Sequence, residues 1–223
     1  MTARDIPAVD RLLKRAFQAH RSPIIELVEA QTHDPFCVLV GTILSARTKD
    51  QCTAGAVRRL FAAGAGDVFT PADLDRLTQA EIEKLIFPVG FFRDKARHLK
   101  ALPGVLREKF GGVLPQTVEE LCELPGVGRK TANIVLNVGY GIVEGIAVDT
   151  HVNRIAHRLM LSPKTHAKEP LKTEQDLLKI LPHEYWESVN HQWITFGREI
   201  CDARKPKCDE CPLADLCPSV RVG

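Results

Sequence analysis

The nine residues LPGVGRKTA, 124–132, constrain the backbone more tightly than any other stretch of the chain. Pro125 ends whatever helix precedes it. Gly126 and Gly128 permit a tight turn without Cβ clashes. The apolar run IVLNV (134–138) then follows a pair of adjacent cations, Arg129 and Lys130. The pattern predicts two helices joined by a tight hairpin. The first amides of the second helix face outward there and form an anion site, helped by the positive end of the helix dipole. A Walker A loop is disfavoured, because it needs four residues between its first glycine and the Gly-Lys pair, and no obvious strand precedes GVGRKT.

The rest of the pattern is helical. Ile6, Val9, Leu12, Leu13 and Phe17 fall on one helical face, as do Trp186, Val189, Trp193 and Phe196. Thr70–Pro71 reads as an N-cap with proline at the first helical position. Thr78 with Glu81, and Thr117 with Glu120, have capping-box spacing. Strand-like alternation is scarce and no Asn-Gly or Asp-Gly hairpin signal occurs, so the expected fold class is all-α. A weak echo of the hairpin lies in LIFPVGFFRDKARHLKAL (85–102), where an apolar helix again runs through Pro and Gly into a helix with basic residues. The stretch YGIVEGIAVDT (140–150) has the composition of a linker between two bodies.

A phosphate of DNA suits the hairpin's anion site. Contacts of that kind position a duplex without reading its sequence. Lys130 then has two readings: a phosphate contact, or a nucleophile. An amine must be neutral to attack, and both a helix N-terminus and a neighbouring Arg129 disfavour the protonated form. Asp149, in VDTHVNRIAHRL (148–159), likewise reads either as the N-cap of the helix that follows or as a carboxylate that stabilises a cationic sugar-like transition state. The two roles are compatible.

The chain has 223 residues and a formal net charge of only +2, which excludes a grossly basic coat protein but not a local basic surface. Nothing at the start resembles a signal peptide, and no apolar run approaches the roughly 20 residues of a membrane span. The expected setting is the cytoplasm, where thiols stay reduced. Seven cysteines then need an account. Cys37, Cys52 and Cys122 lie among apolar neighbours and read as buried structural thiols. Cys201, Cys208, Cys211 and Cys217 read C-x6-C-x2-C-x5-C, which means metal rather than disulfides. Zinc accepts four cysteines, usually as two C-x2-C pairs. With one such pair flanked by wider gaps, a [4Fe–4S] cluster suits the spacing better. The loop inside it, DARKPK, sets Arg204, Lys205 and Lys207 against one Asp202, either as a solvated loop or as a braced phosphate clamp.

These motifs carry a specific resemblance. LPGVGRKTAN (124–133), VDTHVNR (148–154), the cysteine tail, DPFCVLVGTILSARTKD (34–50) and VGFFRDKA (89–96) stand in the order found in the endonuclease III family of helix–hairpin–helix DNA glycosylases. The resemblance implies two helical lobes with a DNA-binding cleft between them. A helical barrel over 34–144 would carry the hairpin, and a discontinuous lobe of 1–33 plus 145–223 would carry the [4Fe–4S] cluster. It implies a bifunctional glycosylase and abasic-site lyase of base excision repair. Lys130 would attack C1′ of an oxidised pyrimidine nucleotide and Asp149 would match the catalytic aspartate. The cluster, on Cys201, Cys208, Cys211 and Cys217, would be structural or DNA-linked. The implied partner is double-stranded DNA with damaged pyrimidines or abasic sites, the chain is expected to be a monomer, and a nucleoid-associated prokaryotic setting goes with these implications.

A base within a duplex is unreachable, so such an enzyme must flip it out and fill the gap. Arg47 and the pair Phe91 and Phe92 match loops that approach DNA in this family. A phenylalanine wedge is physically sensible, although core packing serves either ring equally well. Arg47 is a departure, since related enzymes often carry glutamine there, and it bears on the preference for the opposite base. The candidate DNA contacts are therefore Arg47, Phe91, Phe92, Gly126, Val127, Gly128, Arg129, Thr131, Arg204, Lys205 and Lys207. Two rivals within the superfamily, adenine- and thymine-mismatch glycosylases, lack a lysine at the nucleophile position. The former also carry a further C-terminal domain, which is not expected after Cys217. A non-catalytic DNA-binding protein, with Lys130 as phosphate ligand and Asp149 as cap, is the alternative from another class.

Overall fold

In a computed structural model of the protein, the described residues are 1–17, 25, 28 and 31–220. They form helices and connecting turns, with no strand among them. The helices are α1 (Ile6–Ala16), α2 (Pro35–Ser45), α3 (Asp50–Phe61), α4 (Pro71–Arg76), α5 (Gln79–Ile86), α6 (Phe92–Phe110), α7 (Val118–Leu121), α8 (Arg129–Ile134), α9 (Thr150–Arg158), α10 (Pro170–Ile180) and α11 (Trp186–Glu199). The chain divides into two compact units, Ser22–Glu144 and Met1–Arg21 with Gly145–Gly223.

In the unit Ser22–Glu144 the central element is α2. Asp34 caps it, its carboxylate accepting from the Cys37 amide at 2.9 Å, and Pro35 opens it. Every residue from Phe36 to Leu44 is buried, which an amphipathic surface helix does not show. Leu60, Leu74, Ile82, Ile86, Leu99, Leu102, Leu106, Leu121 and Leu136 pack in the same core. Ile25 and Val28 belong to this core too, so the unit takes in chain ahead of Asp34. The caps read from the sequence set the corners. Thr70 and Asp73 make a reciprocal box at the start of α4, as do Thr78 and Glu81 at α5. The Thr117 hydroxyl accepts from the Glu120 amide at α7.

In the unit of Met1–Arg21 and Gly145–Gly223, Ile6, Val9 and Leu13 of α1 pack with Val189, Trp193 and Phe196 of α11, as their shared helical faces predict. The Phe17 and Phe196 rings lie 6.4 Å apart. Val152, Ile155 and Ala156 of α9 complete this core, with Leu213 of the C-terminal loop. No helix among the described residues is long and apolar enough to cross a membrane.

Of the remaining three thiols, only Cys37 is buried as expected. Cys37 is fully buried and donates to the Phe69 carbonyl at 3.4 Å, and burial pushes its thiol up to about 12. Cys52 is half-buried. Cys122 is exposed, not buried: it follows α7 at the start of the hairpin turn, where the neighbouring Leu121 and Leu124 take the inward positions.

Candidate nucleic-acid interface and metal centre

The hairpin forms where the sequence puts it. Leu121, Leu124 and Val127 turn inward and anchor the connection between α7 and α8. Gly126 sits at φ +77°, and a Cβ there would lie 2.7 Å from Nδ1 of His98 on α6. Glycine is thus required twice, by conformation and by space. The echo of the hairpin pattern in 85–102 has become α5, a turn and α6, and α6 is the helix that backs this turn. Gly128 is the N-cap of α8 and brings no side chain to occupy the first amides. Lys130 and Gly128 are exposed, while Arg129 and Thr131 are half-exposed. Arg129 also lies 3.6 Å from Glu119 on α7. Beyond Ile134 the helix widens into a π turn, Val135–Gly139, whose Val135 and Leu136 enter the core.

A second surface of the same unit gathers Arg47, Phe91 and Phe92. Arg47 (φ 53°) and Phe91 (φ 56°) both hold left-handed backbone, which is uncommon outside glycine. Phe91 is 60 % exposed, and the Arg47 guanidinium sits 5.5 Å from its ring centre. Phe92 is half-buried, edge-on to Phe87, with Arg93 over its face at 5.0 Å. Core packing therefore accounts for part of Phe92 and for very little of Phe91. Arg59 holds the start of this turn, donating to the Leu85 and Phe87 carbonyls.

The other unit carries Asp149 and the cysteine loop. Asp149 is the N-cap of α9, its Oδ1 accepting from the amides of His151 (2.8 Å) and Val152 (2.9 Å). The cap reading therefore stands, and it fixes the carboxylate at the mouth of a helix. Farther along α9, two arginines hold the cysteine loop. Arg154 donates to the carbonyls of Cys201 and Gly197, both at 3.0 Å. Arg158 donates to the carbonyls of Cys201 (3.1 Å), Asp202 (2.7 Å) and Ala203 (3.0 Å) and to Cys201 Sγ at 3.1 Å. Neither arginine stood out in the sequence; their spacing of four is the only available signal.

Cys201, Cys208, Cys211 and Cys217 line one cavity together with Ile155, Leu159, Phe196, Ile200 and Leu213. The sulfurs surround this void: among the described residues no three His, Cys, Asp or Glu are placed to hold a single metal ion. Burial, reinforced by the neighbouring thiols, pushes Cys211 up to about 11 and raises Cys217 as well. Four thiols crowded in an apolar pocket fit a multi-iron cluster, which takes them as thiolates and neutralises them. In the loop between the first two cysteines, Asp202 turns its carboxylate onto the loop's own amides, Arg204 (2.8 Å) and Lys205 (3.0 Å), which lowers it to about 2. Arg204, Lys205 and Lys207 are exposed around it.

Comparison with known proteins agrees with both features. Residues 40–183 match the HhH-GPD superfamily of base excision DNA repair proteins, and residues 201–217 match the iron–sulfur binding domain of endonuclease III. The chain is 44 % identical to endonuclease III of Synechocystis over 85 % of its length and 83 % of the relative's. It is 42 % identical to endonuclease III of Thermotoga maritima over 84 % of both chains. A trapped endonuclease III–DNA covalent intermediate superimposes with a TM-score of 0.83 at 36 % identity, covering 98 % of this chain and 97 % of that one. The cofactor of the cysteine loop is accordingly a [4Fe–4S] cluster. With an exposed lysine on a glycine hairpin and four thiols around one cavity, the chain belongs to the endonuclease III family of base excision repair DNA glycosylases and abasic-site lyases.

Proposed function

We propose that this protein removes oxidised pyrimidines from duplex DNA with Lys130 as the nucleophile and then nicks the strand at the abasic site. The neutral amine of Lys130 attacks C1′ as the bond from C1′ to the base breaks, and the base leaves with that electron pair and takes up a proton. The sugar ring opens to give a Schiff base between Nζ and C1′. Loss of a proton from C2′ then expels the 3′ phosphate, and water later releases the lysine. Asp149, held by the α9 amides, supplies the fixed negative charge that the cationic sugar requires. The amides following Gly128 grip a backbone phosphate. Arg204, Lys205 and Lys207 add sequence-independent attraction. Cys201, Cys208, Cys211 and Cys217 would hold the [4Fe–4S] cluster at the loop of Arg204, Lys205 and Lys207, where its role would be structural or DNA-linked and not base removal. The reading includes a monomer acting in the cytoplasm.

The observation that carries this reading is the exposed Lys130 at the first turn of α8, in a chain similar to an endonuclease III seen joined covalently to DNA. Borohydride reduction tests it. Wild-type protein incubated with duplex DNA holding one thymine glycol yields a covalent protein–DNA band, and Lys130→Ala yields none. Base release without a band by the wild type overturns the nucleophile assignment. Binding with neither release nor band overturns the enzymatic one.

A further inference from the structure

Lys95 is a buried cation of the Ser22–Glu144 unit. It lies on the inner face of α6 and is 7 % exposed. Its ammonium has three hydrogens to place, and three oxygens take them. They are the carbonyls of Leu44 (2.8 Å) and Ala46 (2.6 Å) and the Thr48 hydroxyl (3.0 Å). The first two belong to the end of α2, where helix carbonyls lack intrahelical donors and the dipole favours a cation. Burial pushes the ammonium down to about 8, so it keeps its charge at neutral pH.

The same residue reaches the other surface turn. Its backbone amide donates to the Phe91 carbonyl at 3.1 Å. Thr48 closes the connection: its hydroxyl donates to Ala46 (3.2 Å) and accepts from Lys95 Nζ and from the Gly90 amide at 3.1 Å. Gly90 permits this approach, because a Cβ there would lie 2.6 Å from the Arg47 carbonyl. Arg47 and Phe91, both exposed and both left-handed, thus stand at the ends of one hydrogen-bonded network with a buried ammonium at its centre.

We propose that Lys95 is a positioning residue for DNA recognition, holding the 45–49 and 87–92 turns together so that Arg47 and Phe91 meet DNA as one preformed surface. The proposal rests on the reading that these two residues contact DNA. Preorganisation of this kind removes the ordering cost from binding.

The test is a double-mutant cycle of Lys95→Met and Arg47→Ala, read as Kd for duplex DNA containing a tetrahydrofuran abasic-site analogue. Arg47→Ala in the wild type weakens binding about tenfold, but in Lys95→Met by less than about twofold, as coupled residues require. Lys95→Met also weakens binding more than it slows borohydride trapping at saturating abasic-site DNA. Independent, multiplicative losses overturn the positioning role. No loss from Arg47→Ala in the wild type overturns the DNA-contact reading, and the proposal with it. If Lys95→Met fails to fold, Thr48→Val replaces it in the cycle. That change removes only the bridging hydroxyl, and it must reduce the Arg47 effect in the same sense or the proposal fails.

Discussion

The hairpin at 122–128 and the cysteine loop at 201–217 are both tight and both lack long helices, yet they are built in opposite ways. The hairpin is held by the chain itself. Leu121, Leu124 and Val127 are buried beneath it, and a glycine at φ +77° allows the close approach of His98. In the cysteine loop Leu213 alone is fully buried in the core, with Leu216, Cys201, Cys211 and Cys217 partly buried against it. Arginines from α9 hold its carbonyls, and the four cysteines line a cavity in which burial disfavours the thiolates of Cys211 and Cys217. One turn is specified by packing and the other by a cofactor. The difference suits the proposed roles, since a nucleophile needs a scaffold that does not depend on cofactor supply.

The comparison can be broken or sharpened experimentally. The largest effect is expected from Cys208→Ser. It strips the brown absorbance and speeds amide exchange across 201–217 by at least about a hundredfold, while the 121–136 amides keep their protection. Loss of protection at both sites would show that the hairpin also depends on the cluster. Leu121→Ala, at a fully buried position, should cost about 2–5 kcal/mol in denaturant unfolding. A cost below about 1 kcal/mol would mean that apolar packing does not hold the hairpin. Gly126→Ala meets both a left-handed backbone and His98, and a loss of about 1–3 kcal/mol is expected, against a gain if neither constraint applies.

The smallest effect lies away from both turns, at Asp73. The Thr70 hydroxyl, against the opposing effect of burial, leads the interactions that hold this carboxyl at about 2; the amides of Thr70 and Ala65 and the charge of Arg76 add to it. The folded value lies below the ordinary 3.8, so this stabilisation is complete above that pH and is lost as pH falls through about 2. Asp73→Asn should therefore cost about 1–2 kcal/mol at pH 7 and progressively less under acid, as urea melts at several pH values would show.

Much of this arrangement was legible in the sequence because it is local. The caps at Thr70, Thr78 and Asp149 each depend on residues two or three positions away, and the hairpin depends on its own glycines. The thiol pattern was equally local. What escaped is long-range and ends on backbone atoms. Lys95 reaches oxygens 47 to 51 residues away, two of them carbonyls, which leave no mark in side-chain pattern. Its one signal was position: it shares the face of α6 with Ala96, Leu99, Leu102 and Leu106, where a lysine is out of place. Arg154 and Arg158 escaped for the same reason, as their acceptors are mostly loop carbonyls. Cys122 departs from the pattern because apolar neighbours in sequence do not fix which residue of a turn points inward.

The most direct test of the account locates the covalent bond rather than merely detecting it. Wild-type protein is reduced with borohydride on duplex DNA carrying one abasic site, then digested with nuclease and protease, and the adduct is mapped by mass spectrometry. The account predicts the sugar remnant on Nζ of Lys130, within the peptide of the glycine hairpin. An adduct on another amine, such as Lys49 or Lys205, with Lys130 unmodified, would contradict it.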